Sequence, residues 1–259
     1  MCLVSFVVSF PPAMTRPGSL LDSLNPTPPA DRIPLVPVLG DDSRRICTMP
    51  DLGALNGDDP ARQHVVDHGF IRDRAGRWQL WACIRGTQAA NTRLIYGWEG
   101  DDLESGPWPE RGIMLRGDPD LGEGGVGAPF FLYWKNQYYC FHHSAGIRVL
   151  RSDDGRDYRR LFDTSGSNRL YDGGRDVMVL PWRDKLLFYS TITSIRKDGL
   201  HRCHVSCRAT PDLKTWSDPV VVSEGGIAGS GPVNAESPFV VHRGGYYYLF
   251  RATSRPTVA

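Results

Sequence analysis

A short pattern occurs four times after residue 61 and constrains the fold more than any other feature of the sequence. Each copy consists of a short apolar run, a polar turn of Arg, Lys, Asp, Asn or Gly, and a second run rich in aromatic and β-branched residues. Such a copy predicts two strands joined by a tight turn. The copies are DHGFIRDRAGRWQLWACI from Asp67, APFFLYWKNQYYCFHH from Ala128, DVMVLPWRDKLLFYSTI from Asp176 and ESPFVVHRGGYYYLFRAT from Glu236.

The spacing of the copies predicts the architecture. The aligned positions are His68, Pro129, Val177 and Pro238, separated by 61, 48 and 61 residues. A second pair of strands fits after each of the first three copies. No segment of the repeat region shows apolar residues at the spacing of a helix. Four strands in every roughly 50 residues are typical of propeller blades. The sequence therefore predicts an all-β fold, a β-propeller of four-stranded blades.

The repeat also predicts the domain organisation. Residues 1–60 are rich in Pro, Asp and short polar runs, which indicates an extended N-terminal arm. Residues 61–259 form the propeller domain, and the fourth copy ends after two strands. The chain thus contains about three and a half blades. Either the fourth blade is truncated, or the N-terminal arm completes its sheet.

Composition narrows the class of partner. The 30 Lys and Arg residues balance 29 Asp and Glu residues, so no overall field attracts nucleic acid or an anionic membrane. No stretch approaches the roughly 18 apolar residues of a membrane span. The N-terminal apolar run lacks preceding basic residues and a clear cleavage site, which favours the cytoplasm over secretion. A neutral or small-molecule partner is expected.

The residues that begin each copy predict a carboxylate site. In a propeller the first strands of all blades start at one end of the central channel, so their heads converge. Three of the four heads are acidic, namely Asp67, Asp176 and Glu236. Clustered carboxylates divide into one that holds a proton and one that stays ionised, which is the requirement for glycoside hydrolysis. The alternative for an isolated Asp before a strand is a turn residue that accepts backbone hydrogen bonds.

Residues 61–259 resemble the five-bladed propeller glycoside hydrolases, most closely family 43 and the related families 32 and 68. The resemblance rests on VVDHGF around Asp67, GGRDVMV around Asp176 and NAESPFVV around Glu236. It implies a five-bladed propeller that is incomplete in this chain. It also implies that Asp67 is the general base or nucleophile, that Asp176 holds the sugar and tunes the acid, and that Glu236 is the general acid.

The expected activity is hydrolysis of a furanosidic or xylose-containing oligo- or polysaccharide. His68 follows Asp67 where the families usually have Pro, and Val177 follows Asp176 where they also have Pro. Inversion is favoured over retention because family 43 tolerates more variation around its first Asp. Two alternatives stay open, a phosphorylase on the same fold and a noncatalytic carbohydrate-binding propeller.

Five further residues are candidates for substrate binding. Arg175 could contact sugar hydroxyls or hold Asp176 ionised, and a surface ion pair is its alternative. His68 could contact substrate or be a hydrogen-bonded structural residue. Arg85 and His143, together with Arg251, follow the second strands of their copies, at the acidic end.

Two motifs are set aside, and no cofactor or metal is expected. The run GEGGVG matches GxGxxG but leads into a predicted strand, whereas a dinucleotide loop must open a helix. The cluster around Cys203 and Cys207 resembles zinc spacing, but on a strand Cys203 and Cys207 share one face and His204 lies on the other, so the ligands would be split.

Overall fold

The computed structural model describes residues 3–7, 45–195, 201–225, 231, 234–243 and 246–252, the first of these by backbone alone. These residues contain sixteen strands and four 3-10 helices. The 3-10 helices are Gly53–Leu55, Pro60–Arg62, Ala90–Thr92 and Pro119–Leu121. Most of the predicted N-terminal arm, residues 8–44, lies outside the described residues. No helix among those described is long and apolar enough to cross a membrane.

The first blade is a four-stranded antiparallel sheet with the order β2-β3-β4-β5. Its strands are β2 (His64–Arg72), β3 (Trp78–Arg85), β4 (Arg93–Gly100) and β5 (Glu110–Leu115). The turn between β2 and β3 closes when the backbone N–H of Asp73 donates to the carbonyl of Arg77 (2.8 Å). The Asp73 carboxylate accepts from the Arg77 N–H in return (2.9 Å), which is the Asx-type turn chemistry that short hairpins use.

The second blade has the order β10-β8-β7-β6, and β9 also pairs with β8. Its strands are β6 (Gly127–Trp134), β7 (Gln137–His143), β8 (Ile147–Ser152), β9 (Arg159–Arg160) and β10 (Arg169–Tyr171). The third blade has the order β11-β12-β13-β14. Its strands are β11 (Arg175–Trp182), β12 (Lys185–Ile195), β13 (His201–Thr210) and β14 (Val220–Glu224).

The fourth sheet consists of β15 (Glu236–Arg243), β16 (Tyr246–Ala252) and β1 (Leu3–Val7). β16 lies in the middle and pairs antiparallel with both neighbours, from Leu3↔Ala252 to Val7↔Tyr248 on the β1 side. The N-terminal segment therefore supplies a third strand to this sheet.

The chain divides into two compact units, Gly40–Val177 and Met1–Leu39 together with Met178–Ala259. In the first unit, β3 is buried on both faces because its apolar residues do not alternate with polar ones. One face packs Leu80, Ala82 and Ile84 against Trp98 and Trp108. The other face packs Trp81 against Val126, Phe131 and Cys140, which joins the first blade to the second. The all-β prediction is confirmed, and the first and third blades are four-stranded as expected.

Candidate active site

A backbone irregularity recurs at the head of the first strand in each sheet. Asp67, Ala128, Asp176 and Ser237 all have positive φ angles, of 36°, 47°, 52° and 51°. The strand register shifts at these heads in the first, second and fourth sheets. A bulge of this kind bends the strand and redirects one side chain. The four residues are equivalent in the repeat, and Glu236 lies one residue before its bulge.

Asp67 is paired with an arginine from the neighbouring strand. The guanidinium Nη2 of Arg85, at the end of β3, lies 3.5 Å from Oδ2 of Asp67. Asp67 is partly buried, and 39% of the Arg85 side chain is exposed. The ion pair therefore orients the carboxylate while leaving the cation accessible from solvent.

Asp176 lies among cationic and imidazole groups. Its carboxylate is only 10% exposed; Nε of Arg175 lies 3.6 Å from Oδ2, and Nδ1 of His143 lies 3.8 Å from Oδ1. The His143 Nδ1 atom is buried and has no hydrogen-bond partner among the described residues. Its ring edge faces the second blade head, since a Cβ on Gly127 would lie 3.0 Å from Cε1 of His143.

His143 lies close to residues at the starts of the first three blades. Burial, together with the positive charges of Arg93, Arg175 and Arg85, lowers the pKa of His143 to about 3. Arg85 is the partner of Asp67 and Arg175 contacts Asp176, so both carboxylate sites lie around one neutral imidazole. The same surroundings affect Cys83, whose pKa burial and the charge of Asp67 raise to about 11. This thiol stays protonated and donates toward the Val126 carbonyl (3.6 Å).

Glu236 belongs to the other compact unit and opens β15. It is partly buried. The residues on either side of it are tied to the third blade: the Ser237 N–H donates to Oγ1 of Thr191 (3.2 Å), and the Ala235 carbonyl accepts from Sγ of Cys203 (3.3 Å). The backbone that carries the Glu236 side chain is thus anchored on both sides.

The remaining predicted binding residues lie in different surroundings. His68 is exposed, and its ring packs edge-on against Phe70 at a centroid distance of 5.5 Å. Arg251 is 3% exposed and donates to the Gly225 carbonyl. Burial lowers the pKa of this guanidinium. Its surroundings are those of a structural arginine that closes a loop.

The sequence repeat did not single out two charged residues near the site. Arg93 opens β4 opposite Arg85 and contributes to the field at His143. Glu123, within the Gly122–Gly127 run, has a fully buried side chain that accepts from Arg160 (2.6 Å) and from Asn168 (2.9 Å). These hydrogen bonds and ion pairs lower the pKa of Glu123 to about 2 against the effect of burial. The run itself leads into β6, not into a helix.

No group of three or more His, Cys, Asp or Glu residues in the described part of the chain could hold a metal ion. In β13, Cys203, Val205 and Cys207 are buried together, while His204 lies on the opposite face. That alternation is the one expected of a core strand.

No family model matches the sequence, and no curated protein matches it either. Solved structures do match. The α-L-arabinanase of Cellvibrio cellulosa, complexed with arabinohexaose, is 13% identical with a TM-score of 0.55, covering 78% of this chain and 74% of that one. The α-L-arabinofuranosidase of Lactobacillus brevis is 15% identical with a TM-score of 0.53, covering 76% and 65%.

The catalytic domain of the family 62 α-L-arabinofuranosidase of Coprinopsis cinerea is 18% identical with a TM-score of 0.50. This match covers 78% of this chain and 64% of that one, so the chain spans less than two thirds of the two arabinofuranosidases. Identities this low show the fold alone. The chain therefore has the blade fold of the five-bladed propeller glycoside hydrolases, as the resemblance of its sequence implied.

Proposed function

We propose that this chain carries the catalytic site of a glycoside hydrolase acting on an arabinose- or xylose-containing glycan. The observation that carries the proposal is the grouping of the first three blade heads around His143, with Asp67 and Asp176 each held by its own arginine. Carboxylates that are oriented by cations and partly shielded from water are suited to activating a nucleophile and to holding sugar hydroxyls.

The proposed roles follow from these surroundings. Asp67, paired with a half-exposed arginine, serves as general base on a water molecule. Asp176, nearly buried between Arg175 and His143, holds the sugar and influences the acid. Glu236, at the anchored start of β15, serves as the general acid that protonates the leaving oxygen. Inversion of the anomeric centre is favoured over retention.

Hydrolysis of two arabinofuranosides with different leaving groups tests these roles. Glu236→Gln should lower kcat/KM at least about 10²-fold on an unactivated oligosaccharide. The kcat/KM of this variant should fall much less on a dinitrophenyl arabinofuranoside, because its leaving group departs without being protonated. Asp67→Asn should lose activity on both substrates, because water activation is needed in each case.

Glu104→Gln is the matched control, since Glu104 is an exposed glutamate in the loop after β4. It should leave both rates unchanged. Equal loss on both substrates in Glu236→Gln would remove the general-acid role. Turnover that requires inorganic phosphate would indicate a phosphorylase, and sugar binding without any product would indicate a noncatalytic propeller.

A further inference from the structure

A cleft of about 620 Å³ lies at the acidic end of the first blade. It runs between the segment before β2, residues 57–64, and the loop after β3, residues 85–92. Its volume lies within the roughly 300–1,000 Å³ range of small-molecule sites. All of its lining residues belong to the unit Gly40–Val177.

The two walls of the cleft are fixed to one another. A Cβ on Gly57 would lie 1.8 Å from the Gly86 carbonyl oxygen, so the two backbones touch and only glycine fits there. The Gln88 N–H donates to the Leu55 carbonyl (3.0 Å), and Nε2 of Gln88 donates to Oδ1 of Asp58 (2.8 Å). The cleft is thus preformed, and binding costs little ordering of its walls.

The cleft adjoins the candidate base. Arg85 lines the cleft, and its Nη2 atom lies 3.5 Å from the Asp67 carboxylate. His64 pairs with Arg85 across the β2–β3 ladder and lines the cleft as well. A ligand in the cleft is therefore separated from Asp67 by a single guanidinium group.

The lining fits a neutral ligand rich in hydroxyl groups. Two cations, Arg62 and Arg85, balance two carboxylates, Asp58 and Asp59, so no net charge selects an ion. The other polar groups that line it are those of His64, Thr87, Gln88 and Thr92. Hydroxyl groups both donate and accept hydrogen bonds, so each sugar hydroxyl finds a partner in such a mixed lining.

We propose that this cleft is a subsite for the sugar units next to the one held at Asp67, so that the chain prefers oligosaccharides to single glycosides. The proposal rests on the proposed function, because it places a glycan at Asp67. Arg62 donates to a hydroxyl there, since its exposed side chain has no hydrogen-bond or ion-pair partner among the described residues.

Direct binding tests the subsite without relying on turnover. Calorimetry in a Glu236→Gln background would compare arabinohexaose with arabinobiose, and xylohexaose with xylobiose. Arg62→Ala removes a donor, and Ala61→Trp fills the cleft from an exposed position. Both should raise the hexasaccharide Kd at least about fivefold, the value of one lost hydrogen bond. The disaccharide Kd should change less than about twofold.

Arg72→Ala is the matched control, because Arg72 is exposed at the opposite end of β2. It should leave every Kd unchanged. Equal losses for long and short sugars, no loss in either variant, or no binding of either hexasaccharide would overturn the subsite. A chain-length effect in a protein that hydrolyses nothing would keep the subsite and reject the proposed function. Hydrolysis without any chain-length effect would keep the proposed function and reject the subsite.

Discussion

At the residue scale, the backbone conformation of the candidate acids shows how the site is built. Asp67 and Asp176 have φ angles of 36° and 52°, in the left-handed region that L-residues avoid. Such strain costs about 1–3 kcal/mol per residue and persists only where the surrounding structure enforces it. Asp tolerates this conformation better than most residues, which makes an acid compatible with the bulge.

The buried histidines of β7 predict an acid-sensitive fold. Burial lowers the pKa of His142 to about 4 and that of His143 to about 3, so both are neutral when folded. The unfolded chain binds these protons below its ordinary His pKa of about 6.5, so stability present above that value is lost as pH falls. From about pH 7 to about pH 5 the free energy of unfolding should fall by roughly 2 kcal/mol per histidine.

Urea unfolding of His142→Phe at both pH values checks this. His142 is fully buried, and neither ring nitrogen has a hydrogen-bond partner among the described residues, so an aromatic ring of similar shape should be tolerated. The variant should lose about half as much stability on acidification as the parent. His242→Gln, at an exposed histidine, should behave like the parent. An unchanged acid loss in His142→Phe would contradict the account.

At the element scale, the bulge in β6 predicts a stabilising substitution. Ala128 has a φ angle of 47° and no functional group. Ala128→Gly should raise the free energy of unfolding by about 1 kcal/mol, because glycine adopts positive φ without steric cost. Ala82→Gly, in the buried centre of β3, should instead lower it by about 1 kcal/mol. Denaturant melts that ranked the two variants in the opposite order would show that the Ala128 conformation carries no strain.

The loop before β6 depends on one buried carboxylate. Glu123 accepts from the Asp118 N–H (3.0 Å), from Arg160 and from Asn168, and so connects this loop to β9 and to the segment before β10. Glu123→Gln leaves the Arg160 and Arg148 cations without their counter-charge. The free energy of unfolding should therefore fall by about 3–5 kcal/mol.

Equilibrium unfolding measures that loss, and limited proteolysis reports the loop directly. Cleavage in residues 116–126 should accelerate in Glu123→Gln, since the loop is then released from the sheet. Asp120→Asn, at an exposed position in the same loop, should change neither observable. A Glu123→Gln protein as stable as the parent would show that the network does not support the fold.

The repeated elements could be predicted from sequence, and their irregular partners could not. The first two strands of each copy carry dense apolar and aromatic runs, and these became β2 and β3, β6 and β7, and their counterparts. β9 has two residues and β10 has three, too few to show any period. β1 pairs with β16 across almost the whole chain, a contact that no local pattern encodes.

At the scale of the whole molecule, the repeat identifies the candidate acids at the starts of its copies, but it contains no information on the residues around them. Asp67 and Asp176 lie at the repeated bulge itself, and Glu236 lies one residue before the corresponding bulge at Ser237. Arg93 lies near the site because the register between β3 and β4 places it opposite Arg85. The spacing of the repeated copies gives no information on that register. The side-chain environment of His143 likewise depends on packing between sheets and not on its own sequence neighbours.

The proposed mechanism requires the carboxylates of Asp67 and Glu236 to act together on one glycosidic bond. A crystal structure with a non-hydrolysed arabinose-derived inhibitor tests it most directly, through the separation of these two carboxyl groups. Both carboxyl groups should face the inhibitor, separated by roughly 6.5–9.5 Å, as inversion requires. Carboxyl groups that lie on different surfaces, with the inhibitor bound by neither, would contradict it.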